Sequence, residues 1–341
     1  MINVGIAGIG FMGWIHWLAY KKAKGIRVAA ISTRDPKRRA GDWRDIKGNF
    51  GPPGQQVDLS GVKVYEGLDA MLADKSIDLI DLCLPPNLHA DSTLRCIAAG
   101  KHVFCEKPLA LNEADCVHMV DSARKATKQL FAGHVLPYFP EYAEARRIIA
   151  EGKAGKLLGG RFKRVISDPT WLPDFYNPAT VGGPLLDLHV HDAHLIRLLF
   201  GMPTSVSSAG RRRGDVVEYC MTQFGFPDKS LVVGAESGVI NQQGRAFTHG
   251  FEIHLERATL QYEFGVVGGQ PKLMVPLTVY DDQGGAVQPQ LGDGDPCNAF
   301  DGEIAEVVRC LETGKPSAIL SGDLARDAIT ICKMQSDAVL K

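Results

Sequence analysis

From residue 1 to residue 133, short β-branched runs alternate with stretches in which apolar positions recur every three or four residues. This is the pattern of a parallel sheet joined by crossover helices. It predicts strands at Ile2–Ala7, Arg27–Ser32, Ile77–Leu84, His102–Cys105 and Gln129–Ala132. Helices are predicted near Gly13–Lys24, Leu68–Ala73, Leu88–Ala99 and Asn112–Lys125. The stretch Gly41–Gly61, with Gly51-Pro52-Pro53-Gly54, breaks the rhythm and reads as a surface insertion near one edge of the sheet.

Beyond a helix at about Glu141–Glu151 the pattern becomes extended. Segments near Lys156–Ser167, Ser205–Arg211, Val216–Phe224, Ser230–Glu236, Phe251–Glu256, Thr259–Phe264 and Lys272–Val279 follow one another through short turns, as antiparallel strands do. One apolar helix, about Leu186–Phe200, lies among them and is ended by Gly201; helices near Ala299–Glu312 and Leu324–Val339 close the chain. The expected fold is therefore α/β: a doubly wound parallel sheet of the Rossmann type over 1–133, then a domain with an open, mostly antiparallel sheet over 134–341, whose last helix can pack back on the first.

Composition narrows the function classes. At 341 residues two domains are expected, and 45% apolar with 23% charged residues is a globular balance. A net charge of -1 offers no attraction for nucleic acid, and the cluster Arg211-Arg212-Arg213 lacks interleaved aromatics and reads as a solvated turn. Neither a membrane-spanning run nor an export signal is evident at Met1–Gly5. Eight cysteines without a C-x-x-C pair fit reduced core thiols in a cytoplasmic protein.

The chemistry begins at Gly8-Ile9-Gly10-Phe11-Met12-Gly13, a G-x-G-x-x-G directly between a predicted strand and a predicted helix. Gly8 permits the tight turn, Gly10 close approach of the backbone to a pyrophosphate, and Gly13 close helix packing, while the helix start, including Phe11 and Met12, offers amide donors. Where NAD-binding folds carry an acid at the end of the second strand, this chain reads Ser32-Thr33-Arg34-Asp35. Thr33 with Arg34 tolerates a 2′-phosphate, which leans toward NADP; Asp35 serves NAD if the turn shifts. Leu84, Pro85 and His89 lie at and after the end of the predicted strand Ile77–Leu84, and Glu106-Lys107-Pro108 after His102–Cys105, at the edge where a nicotinamide ring lies. A lysine there can titrate as an acid or base. In the second half Asp187, His189, His191, Asp192 and His194 crowd one apolar helix, and helical spacing sets Asp187, His191 and His194 on a single face. Trp171, Asp174, Phe175 and Tyr176 form either a substrate lid or a packed loop, and Gly265–Gln270 either a flexible hairpin tip or part of a neighbour's site.

On Gly8 to Gly13, Pro85 with His89, Glu106-Lys107-Pro108, Gly133-His134 and the D-x-x-x-H pair Asp187 and His191, the sequence resembles the Gfo/Idh/MocA oxidoreductases, nicotinamide-dependent dehydrogenases of sugars and polyols. The resemblance implies Lys107 and His191 on either side of a reacting carbinol, with Asp187 bonding substrate or orienting the histidine. It also implies a homo-oligomer, dimer or tetramer, packed through the open sheet. Trp171 and His194 are further substrate candidates. Leu84, Pro137 and His194 stand where the family more often has Thr, Arg and Asp, departures that bear on the substrate. Three other classes compete: a redox-neutral enzyme that keeps its nicotinamide bound while cleaving or isomerising a glycoside, a metal-assisted enzyme using Asp187, His191 and His194, and a nucleotide-sensing binding protein. No metal is expected, because Lys107 would repel a cation and a fourth ligand is missing.

Overall fold

The computed structural model describes all 341 residues, which divide into two compact units: Met1–Phe139 with Gly294–Arg326, and Pro140–Asp293 with Asp327–Lys341. The first unit runs β1 (Ile2–Ala7), α1 (Phe11–Lys22), β2 (Ile26–Ser32), α2 (Pro36–Arg39), β3 (Lys63–Tyr65), α3 (Leu68–Leu72), β4 (Leu79–Leu82), α4 (His89–Ala98), β5 (His102–Glu106), α5 (Glu113–Lys125) and β6 (Leu130–Gly133). All six strands are parallel, in the order β3-β2-β1-β4-β5-β6. This order reverses between β1 and β4, the switch point at which such sheets bind ligands beyond the carboxyl ends of their strands.

Local chemistry explains the elements. Val4, Ile6, Leu79, Ile80 and Leu82 have no exposed surface, as expected of central strands covered on both faces. Asn112 caps α5 by accepting from the Asp115 amide at 2.9 Å, and Asp35 caps α2 by accepting from the Lys37 amide at 2.8 Å. The helix Asn298–Thr313 belongs to this unit and adds Phe300, Ile304, Val307 and Val308 to its core beside Trp14, Trp17 and Phe104.

Gly41–Gly61 is not the surface insertion its glycines and prolines predict. Trp43, Ile46 and Val57 are buried in the core of the first unit, and Trp43 meets Trp14 and Trp17 edge-on at 5.9 and 5.0 Å. Trp14 Nε1 donates to Pro52 O at 2.9 Å and Trp43 Nε1 to Arg38 O at 2.8 Å. One large aromatic anchors the irregular segment inward, an effect that periodicity does not register. The short elements α2 and β3 also lack a periodic signal and were not expected.

The second unit comprises α6 (Pro140–Glu151), β7 (Leu157–Ser167), α7 (Val190–Phe200), β8 (Ser205–Arg213), β9 (Val216–Gly225), β10 (Val232–Ile240), β11 (Arg245–Leu255), β12 (Ala258–Val267), β13 (Gln270–Asp281) and β14 (Ala286–Val287). The chain ends with α8 (Asn298–Thr313), in the first unit, and α9 (Gly322–Leu340), whose residues from Asp327 onward belong to the second. The eight strands form one sheet, β14-β13-β12-β11-β7-β10-β9-β8, antiparallel throughout except for the pairing of β10 with β7. Strands β12 and β13 reach Val267 and Gln270, so Gly265–Gln270 is mostly strand, turned by Gly268 and Gly269 at φ 58° and 76°. Two adjacent positive φ values are what a tight hairpin turn requires. Arg211–Arg213 ends β8 rather than forming a solvated turn: Arg211 lies over Tyr219, and Arg213 pairs with Asp168 at 2.9 Å and with Glu218.

No helix is long and apolar enough to cross a membrane. Replacing Trp43 by alanine is expected to lower stability by about 3–5 kcal/mol, the range for a large buried aromatic. A urea titration followed by circular dichroism checks this through the transition midpoint, with its slope unchanged.

Candidate active site

The glycine loop joins β1 to α1 at the switch point, and each glycine has its own steric reason. Gly8 has φ 96°, and a Cβ there would stand 2.4 Å from Cys83 O. A Cβ on Gly13 would stand 2.2 Å from Gly8 O, so only glycine lets α1 start this close to the loop. Gly10 differs: a Cβ there would meet nothing within 4 Å. No side chain caps α1 at Gly10, so its first amides face open space. An uncapped helix start beside empty room suits a pyrophosphate. The geometry of the loop thus fits a dinucleotide.

At the end of β2, Ser32 is buried and accepts through its carbonyl from the Gly8 amide at 2.9 Å, tying the strand end to the loop. Thr33 Oγ1 lies 3.3 Å from the Asp35 amide, and Arg34 is exposed. The Asp35 carboxylate is committed to capping α2. Arg38 donates to Ile9 O and approaches Asp45, and Arg39 donates to the carbonyls of Thr33 and Arg34. The end of β2 is therefore flanked by Arg34, Arg38 and Arg39, with the Asp35 carboxylate engaged in the cap and the exposed Glu66 carboxylate 3.9 Å from Arg39.

After β4 and β5 the remaining candidates of the first unit gather. Leu84 is half-buried, Pro85 exposed and His89 fully buried. His89 Nδ1 lies 2.7 Å from Pro108 O and Nε2 2.8 Å from Leu84 O, so the ring fastens the loop after β4 to the turn after β5. Burial pushes its pKa below the ordinary 6.5. Glu106 is buried, and its Oε2 accepts from the Lys107 amide at 3.1 Å; Lys107 itself is half-buried on this edge.

In the second unit the segment before α7 departs from the uniform helix expected from Leu186. Leu185–His189 is a π turn, closed by the Val190 amide donating to Leu185 O. Asp187 lies in this turn and His191 in the first turn of α7, so their four-residue separation crosses a wider turn than α-helical spacing assumes. Both are half-buried, while His189 and His194 are fully buried. Asp192 faces inward: Arg164 of β7 donates to it through Nε at 2.6 Å and Nη2 at 3.2 Å. This buried pair fastens the start of α7 to the sheet. Phe175 is buried and the Tyr176 hydroxyl donates to Asp168 at 2.9 Å, with the Arg213 guanidinium 4.1 Å from the Tyr176 ring centre. Trp171, by contrast, is 62% exposed, so one loop combines an anchored base with a free indole.

Several groups that shape these sites were not singled out from sequence. They are His16, Asp81 and Glu303 in the first unit, and Arg164 with Gln335 in the second, all buried. An acid inside the apolar run Ile77–Leu84 and a histidine inside an apolar helix were the available signals, because a buried polar group must find a partner.

Switch-point sheet and uncapped glycine loop together define a protein of the dinucleotide-binding class. The description "Oxidoreductase family, NAD-binding Rossmann fold" matches residues 2–134, and the GFO/IDH/MocA C-terminal domain matches residues 142–261. The chain belongs to the GFO/IDH/MocA oxidoreductase family. It is 29% identical over 272 residues to 1,5-anhydro-D-fructose reductase of Ensifer adhaerens, covering 75% of this chain and 76% of that one. It is 30% identical over 164 residues to 2,7-anhydro-N-acetylneuraminate hydratase of Escherichia coli, covering 48% and 40%. Among solved structures, levoglucosan dehydrogenase in complex with NADH and levoglucosan superposes with a TM-score of 0.79 at 21% identity, covering 99% of this chain and 97% of that one.

The three glycines are expected to respond differently to alanine. Gly10→Ala leaves the melting temperature nearly unchanged but weakens dinucleotide binding by about tenfold or more, since its Cβ enters only the open space. Gly13→Ala lowers the melting temperature itself. Thermal melts paired with titrations of the reduced dinucleotide, followed by its own fluorescence, separate the two effects.

Proposed function

We propose that this protein is an NAD(P)-linked oxidoreductase, leaning to NADP, that interconverts a carbinol and a carbonyl on a sugar, polyol or sugar derivative. The observation that carries the reading is Lys107, half-buried directly after β5 on the carboxyl edge of the sheet, beyond the glycine loop and the end of β4. A bound nicotinamide supplies the hydride acceptor or donor. Lys107 stabilises the alkoxide that develops at the reacting carbon, and His191 takes the hydroxyl proton or returns it. Asp187 bonds the substrate or orients His191. Trp171 offers an exposed indole for a sugar face, whereas the buried His194 has no surface with which to touch a substrate.

The lean to NADP is supported by the capped Asp35 and by the basic surroundings of Thr33 and Arg34. A 2′-phosphate there meets a hydroxyl and guanidinium groups, whereas the Asp35 carboxylate is already engaged in capping α2. Phe11, Met12, Leu84 and Pro85 line the rest of the path, and the buried His89 acts behind it by holding the loop after β4 to the turn after β5. Eight unbridged cysteines support a reducing, cytoplasmic setting. Exposed Met221, Val232, Leu273 and Met274 on the strands of the second unit support a homo-oligomer packed through that sheet.

One observation favours a second reading. The relative named for hydratase activity on an anhydro sugar makes redox-neutral chemistry on a retained nicotinamide an alternative outcome.

Purified protein is first assayed for retained nicotinamide, then mixed with NADP or NAD and a panel of anhydro sugars, inositols and aldoses while absorbance of the reduced ring is followed. Net turnover with NADP is expected, and Lys107→Ala and His191→Ala are each expected to lower kcat by about a hundredfold or more while dinucleotide affinity stays within about threefold. Full activity in both variants removes the assignment of these residues. Retained nicotinamide without net reduction selects the redox-neutral reading.

A further inference from the structure

A group of cations stands apart from the proposed chemistry, at the opposite edge of the first unit's sheet, where β4, β5 and β6 begin. Two crossover helices end there in the same way. At the end of α4, Gly100 has φ 77° and the Lys101 amide donates to Cys96 O at 3.0 Å; at the end of α5, Thr127 has φ 54° and the Lys128 amide donates to Ala123 O at 2.9 Å. In each turn a left-handed residue lets the next amide reach back to a free carbonyl of the helix. The residue so placed is a lysine both times, and Lys75 stands in the turn between α3 and β4.

With Asp78 and His102 these lysines line a cavity of about 290 Å³. Lys101 is its unusual member: it is only 6% exposed, and lysine is rarely buried without a paired acid. Its Nζ donates to Asp74 O at 2.7 Å and to Ile77 O at 2.8 Å, both neutral carbonyls, so one of the three donors of the ammonium is left over. The nearby acids are engaged elsewhere. Asp74 accepts through Oδ2 from Lys63 and Tyr65 and through Oδ1 from Ser76, and Asp78 Oδ2 accepts from the Asn3 amide at 2.8 Å. His102 Nδ1 accepts from the Gln129 amide at 3.0 Å, so the neutral ring carries its proton on Nε2 and is a donor there. Burial and then the Lys128 charge hold its pKa below the ordinary 6.5. Three ammonium groups line the cavity with one carboxylate. The ends of α4 and α5 each add about half a negative charge, which leaves the cavity about one charge positive.

We propose that this cavity is a binding site for a phosphate-type oxyanion, free or carried on a small metabolite, held by the spare donor of Lys101, by Lys75 and Lys128, and by the Nε2–H of His102. Such an anion supplies acceptors to all four groups and gives the buried ammonium the opposite charge that it lacks. The site is separate from the edge that carries the glycine loop. Strand β5, His102–Glu106, runs its five residues between the cavity and Lys107, about 16 Å at roughly 3.3 Å per residue.

The probe is inorganic phosphate, added to the full-length chain at constant ionic strength against chloride and at mildly alkaline pH, where phosphate is largely a dianion. A saturable rise in melting temperature is expected, about 2–5 °C at about ten times the dissociation constant. In protein carrying nitrogen-15 histidine, phosphate is expected to move the ring nitrogens of His102, assigned with His102→Gln, and to leave those of the exposed His118 in place. Lys75→Gln combined with Lys128→Gln, both away from the core, is expected to weaken phosphate by about tenfold or more. Lys101→Met is expected to abolish the response, measured against its own melting temperature because it also gives up two carbonyl bonds. Glycerol phosphate distinguishes the sources: an ester bound about tenfold more tightly than the free ion marks a phosphorylated metabolite as the ligand, and equal or weaker binding marks the free ion. No saturable response assigns the lysines to the helix ends alone and overturns the site. So does a response that persists in the double lysine variant, since the anion then sits elsewhere, as at the glycine loop. None of these readouts uses turnover, so failure of the oxidoreductase reading leaves them unchanged.

Discussion

Everything in the first unit hangs on how close α1 can start to the ends of β1 and β4. The distances from missing side chains set that limit: a methyl group at Gly8 would press into Cys83 O, and one at Gly13 into Gly8 O. With both absent, the helix begins at the sheet edge, leaves its first amides uncapped over open space, and carries Trp14, His16, Trp17 and Tyr20 into the interior. Two glycines therefore settle both where an anion can sit and which side chains reach beneath the strand ends. Burying His16, Asp81, Glu106 and Glu303 together is costly, and the fold accepts that cost near the carboxyl edge of the sheet.

Most of the fold was legible in the sequence because its elements are long and periodic. The parallel half followed from apolar runs such as Val103–Cys105 and the antiparallel half from closely spaced extended segments, with most boundaries displaced by a few residues and the start of β11 at Arg245 rather than Phe251. Two kinds of structure were not legible. Irregular chain held by one side chain, such as the segment anchored by Trp43, has no period to detect. A change of helical pitch, such as the π turn at Leu185–His189, keeps a helical composition while altering which positions align.

The same division applies to the site. Groups on local motifs, Gly8 to Gly13 and Glu106-Lys107, could be read because their chemistry depends on neighbours in sequence. His16 and Asp81 are 65 residues apart, and Arg164 and Asp192 are 28 apart, so their pairing is a property of the folded sheet. What sequence does show for such groups is the anomaly of a charge in an apolar run, and Asp81 and Asp192 both carry it. In the second unit a buried ion pair, Arg164 with Asp192, adjoins a residue proposed to touch substrate, His191. The pair gives the half-buried histidine a rigid base without exposing that base to water.

The four tryptophans are divided three to one. Trp14, Trp17 and Trp43 lie in the dry core directly behind the glycine loop, whereas Trp171 stands in solvent on a loop of the other unit. The chain therefore carries two intrinsic optical labels with separable emission: a shielded set that senses the nucleotide end, and a single wet indole that senses the loop. Occupancy at one and movement at the other can be told apart by quenching and colour alone, in the untagged protein.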